Sequence, residues 1–168
     1  GALVSKVIIS QEILLSFKGV KEFDYYNTPY YILLGILAGL VSVYHARNFR
    51  KVENYFSKLN MGVYQKGLFG ASILALLIFF FPTLFGEGYE SIKTLTTENA
   101  TSLLDKTLLE NSSNKQWVLL AFVGITVLLK SFATGLTLGS GGNGGNFAPS
   151  LLVGSYLGFF VSKSVSLL

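Results

Sequence analysis

The chain carries the sequence Gly139-Ser140-Gly141-Gly142-Asn143-Gly144-Gly145-Asn146-Phe147-Ala148-Pro149-Ser150, a polar, glycine-rich loop between two strongly apolar stretches. Five of its first seven residues are glycine, which reaches backbone conformations closed to other residues. Pro149 fits the first turn of a following helix, where a missing N–H removes no hydrogen bond. A helix N-terminus presents unpaired N–H groups and a partial positive charge. The stretch therefore predicts an anion-binding loop that opens a helix.

The composition indicates a membrane protein. Of 168 residues, 51% are hydrophobic and 13% are charged, whereas roughly 25% are charged in ordinary soluble domains. There is no cysteine and His45 is the only histidine, so thiolate and histidine-cluster metal sites are excluded. We expect His45, at the end of an apolar run, to be an interfacial or loop residue. The net charge of +4 is modest, and nucleic-acid binding is not expected because no basic recognition module is present.

Five apolar segments organise the chain: Ala2–Phe17, Tyr30–Tyr44, Gly67–Phe85, Trp117–Leu138 and Phe147–Val161. A membrane-spanning helix takes roughly 20 residues, and several of these segments are shorter. We therefore expect an all-α membrane protein with tilted, partial or re-entrant helices. Irregular backbone at membrane depth is tolerated only inside protein or beside a water-filled cavity, and the glycine loop requires such a setting.

Two pairs of glycines are spaced four residues apart, Gly35 with Gly39 and Gly154 with Gly158. This spacing favours close packing of helix backbones in lipid. The alternative is chance, because the chain contains 18 glycines.

The polar segments carry an orientation signal. Residues 45–66 contain five basic side chains and one acid, whereas residues 86–116 contain five acids and three lysines. Cytoplasmic loops are enriched in Lys and Arg. We expect 45–66 to be a cytoplasmic loop and 86–116 a mobile external loop, with a short helix near Ser102–Leu109.

Other interpretations of the glycine loop are weaker. Gly139-x-Gly141-x-x-Gly144 formally matches a dinucleotide-binding fingerprint, but that pattern needs a preceding strand and an acidic residue about 20 positions later. No acid follows Glu110. No Gly-Lys-Ser/Thr is present for a phosphate-binding loop, and a plain linker is seldom followed at once by an uncharged apolar helix.

The string from Lys130 to Leu151 resembles the CLC family of chloride channels and chloride/proton antiporters. Gly145-Asn146-Phe147-Ala148-Pro149 matches the G-x-F-x-P motif of that family. The segment Phe81–Ile92 resembles its P-x-x-x-G-x-G-Y block, and Leu33–Val41 is similar to a third block. The three occur in the family's order, so the resemblance covers nearly the whole chain.

This resemblance implies chloride transport by a channel or antiporter with inverted halves and a homodimeric assembly. It places the backbone N–H groups of Asn146 and Phe147 at the anion. The implied anion-binding residues are Gly145, Asn146, Phe147, Ala148 and Pro149, and the supporting pore loop is Gly141, Gly142 and Gly144. Gly144 and Gly145 would permit the close turn. No catalytic residue, metal or cofactor is implied; chloride is the transported ligand.

Asn146 departs from the family pattern, which usually has an aliphatic residue there. The family's G-S-G-x-P and G-[RK]-E-G-P loops and its later pore tyrosine find no match. The chain thus resembles a middle portion of a multi-pass domain of the cell or inner membrane. The lipid bilayer and the remaining segments of the same transporter are its expected partners. Ala2–Phe17 aligns with a helix near the family's dimer interface. The alternative is a membrane scaffold fragment without transport.

The sequence allows two roles for each of two side chains. Lys130, in an apolar helix, either raises the potential near the anion path or snorkels to an interface or cavity. Phe147 either packs between helices or lines the ion path, and the motif favours the second.

Overall fold

A computed structural model describes residues 25–96, 100–105, 107 and 114–167. This part of the chain is helical and contains no β-strand, which confirms the all-α fold. Its α-helices are α1 Thr28–Lys58, α2 Val63–Phe80, α3 Tyr89–Thr96, α4 Lys115–Gly139 and α5 Phe147–Leu167. Short 3-10 turns occupy Tyr25–Asn27, Pro82–Leu84 and Ala100–Leu103. The predicted apolar segment Ala2–Phe17 lies outside the described residues.

Four of these helices, α1, α2, α4 and α5, are long and apolar enough to cross a bilayer. None of the four is shorter than 18 residues, and α1, α4 and α5 are longer than their apolar runs suggested. In α4, 61% of the apolar stretch is buried inside the protein, against 6% in α1 and in α2. Helix α4 is therefore central, and α1 and α2 present apolar side chains outward.

Proline sets two of the helix boundaries. Pro29 occupies the first turn of α1, where its missing N–H removes no helical bond. The Thr28 hydroxyl there donates to the Tyr25 carbonyl at 2.6 Å. Pro82 follows Phe81, whose backbone has φ −129° and ψ 80°. The residue before a proline is biased away from the helical conformation, so α2 ends at Phe80.

The core forms where α3, α4 and α5 meet. Its buried hydrophobic residues are Ile92, Leu95, Leu104, Leu119, Phe122, Val123, Val127, Leu152, Val153 and Tyr156. Phe81 stacks on Phe122, with ring centroids 5.3 Å apart. The short α3 and the turn after it thus pack on the long helices.

That packing shows that the described part of 86–116, predicted as a mobile external loop, is partly helical and buried. Its described residues include α3 and the 3-10 turn Ala100–Leu103, and Ile92, Leu95 and Leu104 are buried. Helix α3 was not predicted; its amphipathic run begins at Tyr89. The helix predicted near Ser102–Leu109 lies partly outside the described residues. The external side of this segment stays a prediction.

The basic segment predicted as a loop at 45–66 is helical as far as Lys58. The connection to α2 is confined to residues 59–62. Arg, Lys and Glu are good helix formers, so the charges end the apolar run without ending the helix. Gly62 then donates its N–H to the Gln65 side chain at 3.1 Å, which starts α2.

Close helix packing occurs at Gly135 and Gly139 of α4, which are also four residues apart. A Cβ on Gly135 would lie 2.8 Å from Val52 Cβ, and one on Gly139 would lie 3.2 Å from Phe56 Cβ. Because no side chain intervenes, α1 lies directly against the backbone of α4.

The two glycine pairs chosen from the sequence do not pack in this way. A Cβ on Gly35, Gly39, Gly154 or Gly158 would meet no atom of the described chain within 4 Å. The packing prediction is therefore wrong for contacts within the described residues. Spacing identifies a helix face and does not identify what that face meets.

Candidate functional site

The glycine loop leaves α4 through a tight turn. The N–H of Gly141 donates to the Leu138 carbonyl at 3.2 Å, and that of Gly142 donates to the Thr137 carbonyl at 2.8 Å. Gly141 has φ +99°, and a Cβ on Gly142 would lie 2.6 Å from the Thr137 oxygen. These two positions therefore require glycine.

The family resemblance implied that Gly144 and Gly145 permit the close turn. In the structure the turn does not depend on either residue. Neither has a positive φ. A Cβ on Gly144 would lie 3.6 Å from Leu138 Cδ2, an ordinary contact, and one on Gly145 would meet nothing within 4 Å. The sharp change of direction occurs earlier, at Gly141 and Gly142, so that prediction is wrong.

Two helices fix the start of the loop. Ser140 packs so closely on Gly70 of α2 that a Cβ on Gly70 would collide with the Ser140 side chain. The preceding Gly139 lies against Phe56 of α1. The loop therefore begins at a close contact of three helices, although residues 143–145 themselves are exposed.

At its far end the loop becomes the N-terminus of α5, which begins at Phe147. The N–H of Ser150 donates to the Asn146 carbonyl at 3.1 Å, which closes the first helical turn. The preceding N–H groups of a helix have no intrahelical acceptor. Phe147 and Ala148 carry such groups, whereas Pro149 carries none. Ala148 is thus a donor in addition to the two implied by the sequence.

These donors border a cleft of about 570 Å³. Its walls come from the loop and the start of α5, from α4, from α2 and from the segment after α2. The residues contributed by the loop and α5 are Asn143, Gly144, Gly145, Phe147, Ala148 and Pro149. The Phe147 side chain is 75% exposed, so it is not a core residue of the described chain. Its place on an ion path stays a prediction.

Lys130 brings a cation to the same cleft. Its side chain is only 2% exposed, and Nζ donates to the carbonyls of Leu84 at 3.0 Å and Gly86 at 2.8 Å. The ammonium therefore does not extend to an exposed interface. It joins the middle of α4 to the segment that follows α2, on the wall that faces the α5 N-terminus. Its electrostatic role stays a prediction.

Glu87 also borders this cleft, and its side chain is exposed. One cation and one carboxylate therefore face the same space. Hydroxyls of α4 contribute little, because Thr134 and Thr137 donate to their own helix at the Lys130 and Ala133 carbonyls, both at 2.9 Å.

Sequence reasoning missed the partner of Asn146. His45 of α1 is buried, with 5% of its surface exposed, and its Nε2 lies 2.9 Å from Asn146 Oδ1. His45 is therefore not a loop residue, and its position relative to the membrane interface stays a prediction. Two unusual residues in the sequence could have indicated this pair. One is a lone histidine on an apolar helix, and the other is a polar residue at a motif position that is usually aliphatic.

The Asn146 side chain also faces away from the larger cleft. It borders a second cavity of about 200 Å³ between α1 and α5, together with Ser42, His45 and Ser150. Among the described residues, no three His, Asp or Glu side chains are grouped so that they could hold a metal ion.

The fold and the site define an integral, multi-pass membrane protein in which a helix N-terminus borders a largely apolar cleft that contains one lysine and one carboxylate. Residues 1–168 match the family described as voltage gated chloride channels. The chain therefore belongs to this family, as the G-x-F-x-P resemblance indicated.

Two curated relatives are only distantly similar to this chain in sequence. An uncharacterized protein of Methanocaldococcus jannaschii is 25% identical over 165 residues, which cover 98% of this chain and 37% of that protein. The voltage-gated ClC-type chloride channel ClcB of Escherichia coli is 27% identical over 136 residues, or 81% of this chain and 28% of ClcB. The chain spans about a third of the length of these curated relatives. No solved structure matches it.

Proposed function

We propose that the chain forms one wall of a chloride pathway in a membrane transport protein. The observation that carries this proposal is the exposed N-terminus of α5 at a cleft of about 570 Å³. Family membership supports the choice of anion, because the E. coli relative is named as a chloride channel.

The mechanism is noncovalent. The N–H groups of Phe147 and Ala148 and the dipole of α5 attract an anion without a full opposing charge. Asn146, whose N–H the family resemblance also implied, is not among the residues that line this cleft. Conduction requires binding that is favourable enough to admit an ion and weak enough to release it. Partial charges satisfy both conditions, so this transport needs no catalytic residue and no cofactor.

Lys130 and Glu87 both contribute to the electrostatic potential in this cleft. Lys130 is fixed by two carbonyls, so its charge cannot swing into the cleft and trap an anion. Its positive potential nevertheless offsets the exposed Glu87 carboxylate. The electrostatic potential therefore favours an anion at the side of the cleft formed by α4.

The cleft forms only one side of the proposed anion-binding site. We propose that the remaining segments of the same transporter supply the other donors and the gate, and that two copies assemble as a homodimer in the bilayer. On this basis the isolated chain conducts poorly. Rapid chloride flux through the reconstituted chain alone would contradict that expectation.

The test compares Phe147→Pro with Phe147→Ala in the assembled transporter. Both remove the aromatic side chain, but only proline removes the N–H, and proline is tolerated at the first helical position. We expect chloride binding, measured by calorimetry, to weaken about tenfold more in the proline variant, since hydrogen bonds to charged groups contribute about 1.5–3 kcal/mol. Thermal unfolding confirms that both variants fold.

Equal chloride affinities in the two variants would place the N–H of Phe147 away from the anion and overturn the proposal. The alternative, a membrane scaffold without transport, predicts that neither variant changes chloride binding. It also predicts no halide density at the start of α5 in a structure determined with bromide.

A further inference from the structure

One side-chain pair joins the middle of α1 to the start of α5. His45 Nε2 and Asn146 Oδ1 are 2.9 Å apart although the residues are 101 positions apart in the sequence. The other ring nitrogen, Nδ1, is buried and has no hydrogen-bond partner among the described residues. Asn146 is therefore the one polar anchor of this imidazole in the described chain.

The adjacent residue of α1 contacts the other helix that flanks the loop. The Tyr44 hydroxyl donates to the Leu128 carbonyl of α4 at 3.2 Å. Helix α1 thus reaches both sides of the glycine loop through consecutive side chains. Of these two bonds, only the one from His45 ends on a residue of the loop.

Asn146 has two faces with different surroundings. Its side chain borders the cavity of about 200 Å³ shared with His45, while its main chain continues into Phe147 and Ala148 at the larger cleft. Its carbonyl accepts the first helical bond of α5, from Ser150. A constraint on the Asn146 side chain therefore sets the direction of the donors at the helix start.

We propose that His45 is a positioning residue: by anchoring Asn146 from outside the cleft, it fixes the backbone donors at the start of α5 and so sets the selectivity among anions. This inference rests on the proposed function. Chloride, which is spherical, and nitrate, which is planar, require different arrangements of the same N–H groups. Discrimination between them depends on how firmly those groups are held, as for any preorganised site.

The Asn146 carboxamide is consequently not a ligand of the anion. Its Oδ1 is bonded to the imidazole, and Asn146 is not among the residues that line the larger cleft. An apolar side chain at this position would leave the buried imidazole without its partner. Losing one member of such a pair costs more than replacing both.

The experiment measures the ratio of chloride to nitrate flux through the assembled transporter in proteoliposomes. His45→Phe keeps a planar ring, although a larger one, and removes the donor, whereas His45→Gln retains a side-chain N–H. We expect the ratio to change about fivefold in His45→Phe, the factor that one lost hydrogen bond typically produces, and to return toward the original value in His45→Gln. The same ratio is measured in Asn146→Leu, where a further His45→Phe substitution should have no additional effect.

Tyr44→Phe is the matched control, because it removes one hydrogen bond from the neighbouring residue of the same helix. A merely structural role for His45 predicts that His45→Phe and Tyr44→Phe both lower the unfolding temperature and both leave the flux ratio unchanged. That result overturns the inference. If His45→Phe does not fold, the ratio in Asn146→Leu decides the question, and an unchanged ratio there also overturns it.

The two proposals fail separately. Unequal chloride affinities of Phe147→Pro and Phe147→Ala, with an unchanged flux ratio in His45→Phe, would leave the anion site intact and remove the positioning role. Equal affinities in the Phe147 pair would remove the site itself, and the inference with it.

Discussion

The contact between α1 and α4 at Gly135 gives a prediction that can be worked out numerically. In Gly135→Ala the new methyl carbon would lie 2.8 Å from Val52 Cβ, 3.1 Å from Val52 Cγ1 and 3.2 Å from the Phe49 carbonyl oxygen. Carbon atoms pack favourably at about 3.5–4.0 Å. The helices must therefore separate by roughly 1 Å, and overpacking of this kind costs about 1–3 kcal/mol.

The matched control is Gly35→Ala in α1, where a Cβ would meet nothing within 4 Å. Both substitutions exchange glycine for alanine inside a helix, which favours the helix by about 1 kcal/mol. That contribution cancels in the comparison. We expect Gly135→Ala to unfold with a free energy about 1–3 kcal/mol lower than Gly35→Ala, as measured by denaturant titration in detergent micelles.

The same displacement should reach the anion site. Moving α1 outward by about 1 Å would lengthen the bond between His45 and Asn146 from 2.9 Å beyond hydrogen-bonding distance. Gly135→Ala should therefore also alter the flux ratio of chloride to nitrate. Equal unfolding free energies in the two variants would show that α1 does not lie against the α4 backbone and would refute this reasoning.

Two further predictions concern the charges at the larger cleft. Lys130→Met removes the donor to the buried Leu84 carbonyl, and an unpaired buried carbonyl costs about 1–3 kcal/mol. Amide hydrogen exchange in the segment 84–88 should accelerate, whereas Lys163→Met in α5 should leave that segment unchanged; equal exchange rates in the two variants would contradict the assignment. Glu87→Gln removes an exposed carboxylate from the cleft and should strengthen chloride binding about twofold in calorimetry, in line with the modest strength of exposed charge interactions. The effect should fade at high ionic strength, and weaker binding would be the contrary result.

The long helices could be predicted from the sequence because their apolar runs and prolines act locally. Pro149 indicated the start of α5. Pro82 lies two residues after the end of α2, with the non-helical Phe81 between them. The extension of α1 to Lys58 could not be predicted from hydropathy, since charged side chains end an apolar run but are compatible with a helix. The side of the membrane on which residues 45–66 and 86–116 lie stays a prediction.

The contacts that build the site depend on tertiary structure. The pair formed by His45 and Asn146 joins residues 101 positions apart, and no local pattern connects them. The spacing of Gly135 and Gly139 was present in the sequence, but so was that of Gly35 and Gly39, and only the first pair meets a neighbouring helix. The G-x-F-x-P motif indicated where the donors lie; the residues that brace them came from α1.

The length of α1 has a consequence for the depth of the anion loop in the bilayer. Its 31 residues extend about 46 Å at 1.5 Å per residue, whereas the hydrocarbon layer is about 30 Å thick. We expect the surplus at the end that carries Arg47, Arg50, Lys51 and Lys58, because charged side chains are costly within the hydrocarbon layer. His45 lies at the boundary between the apolar and basic parts of α1, so its bond to Asn146 ties the start of α5 to that boundary.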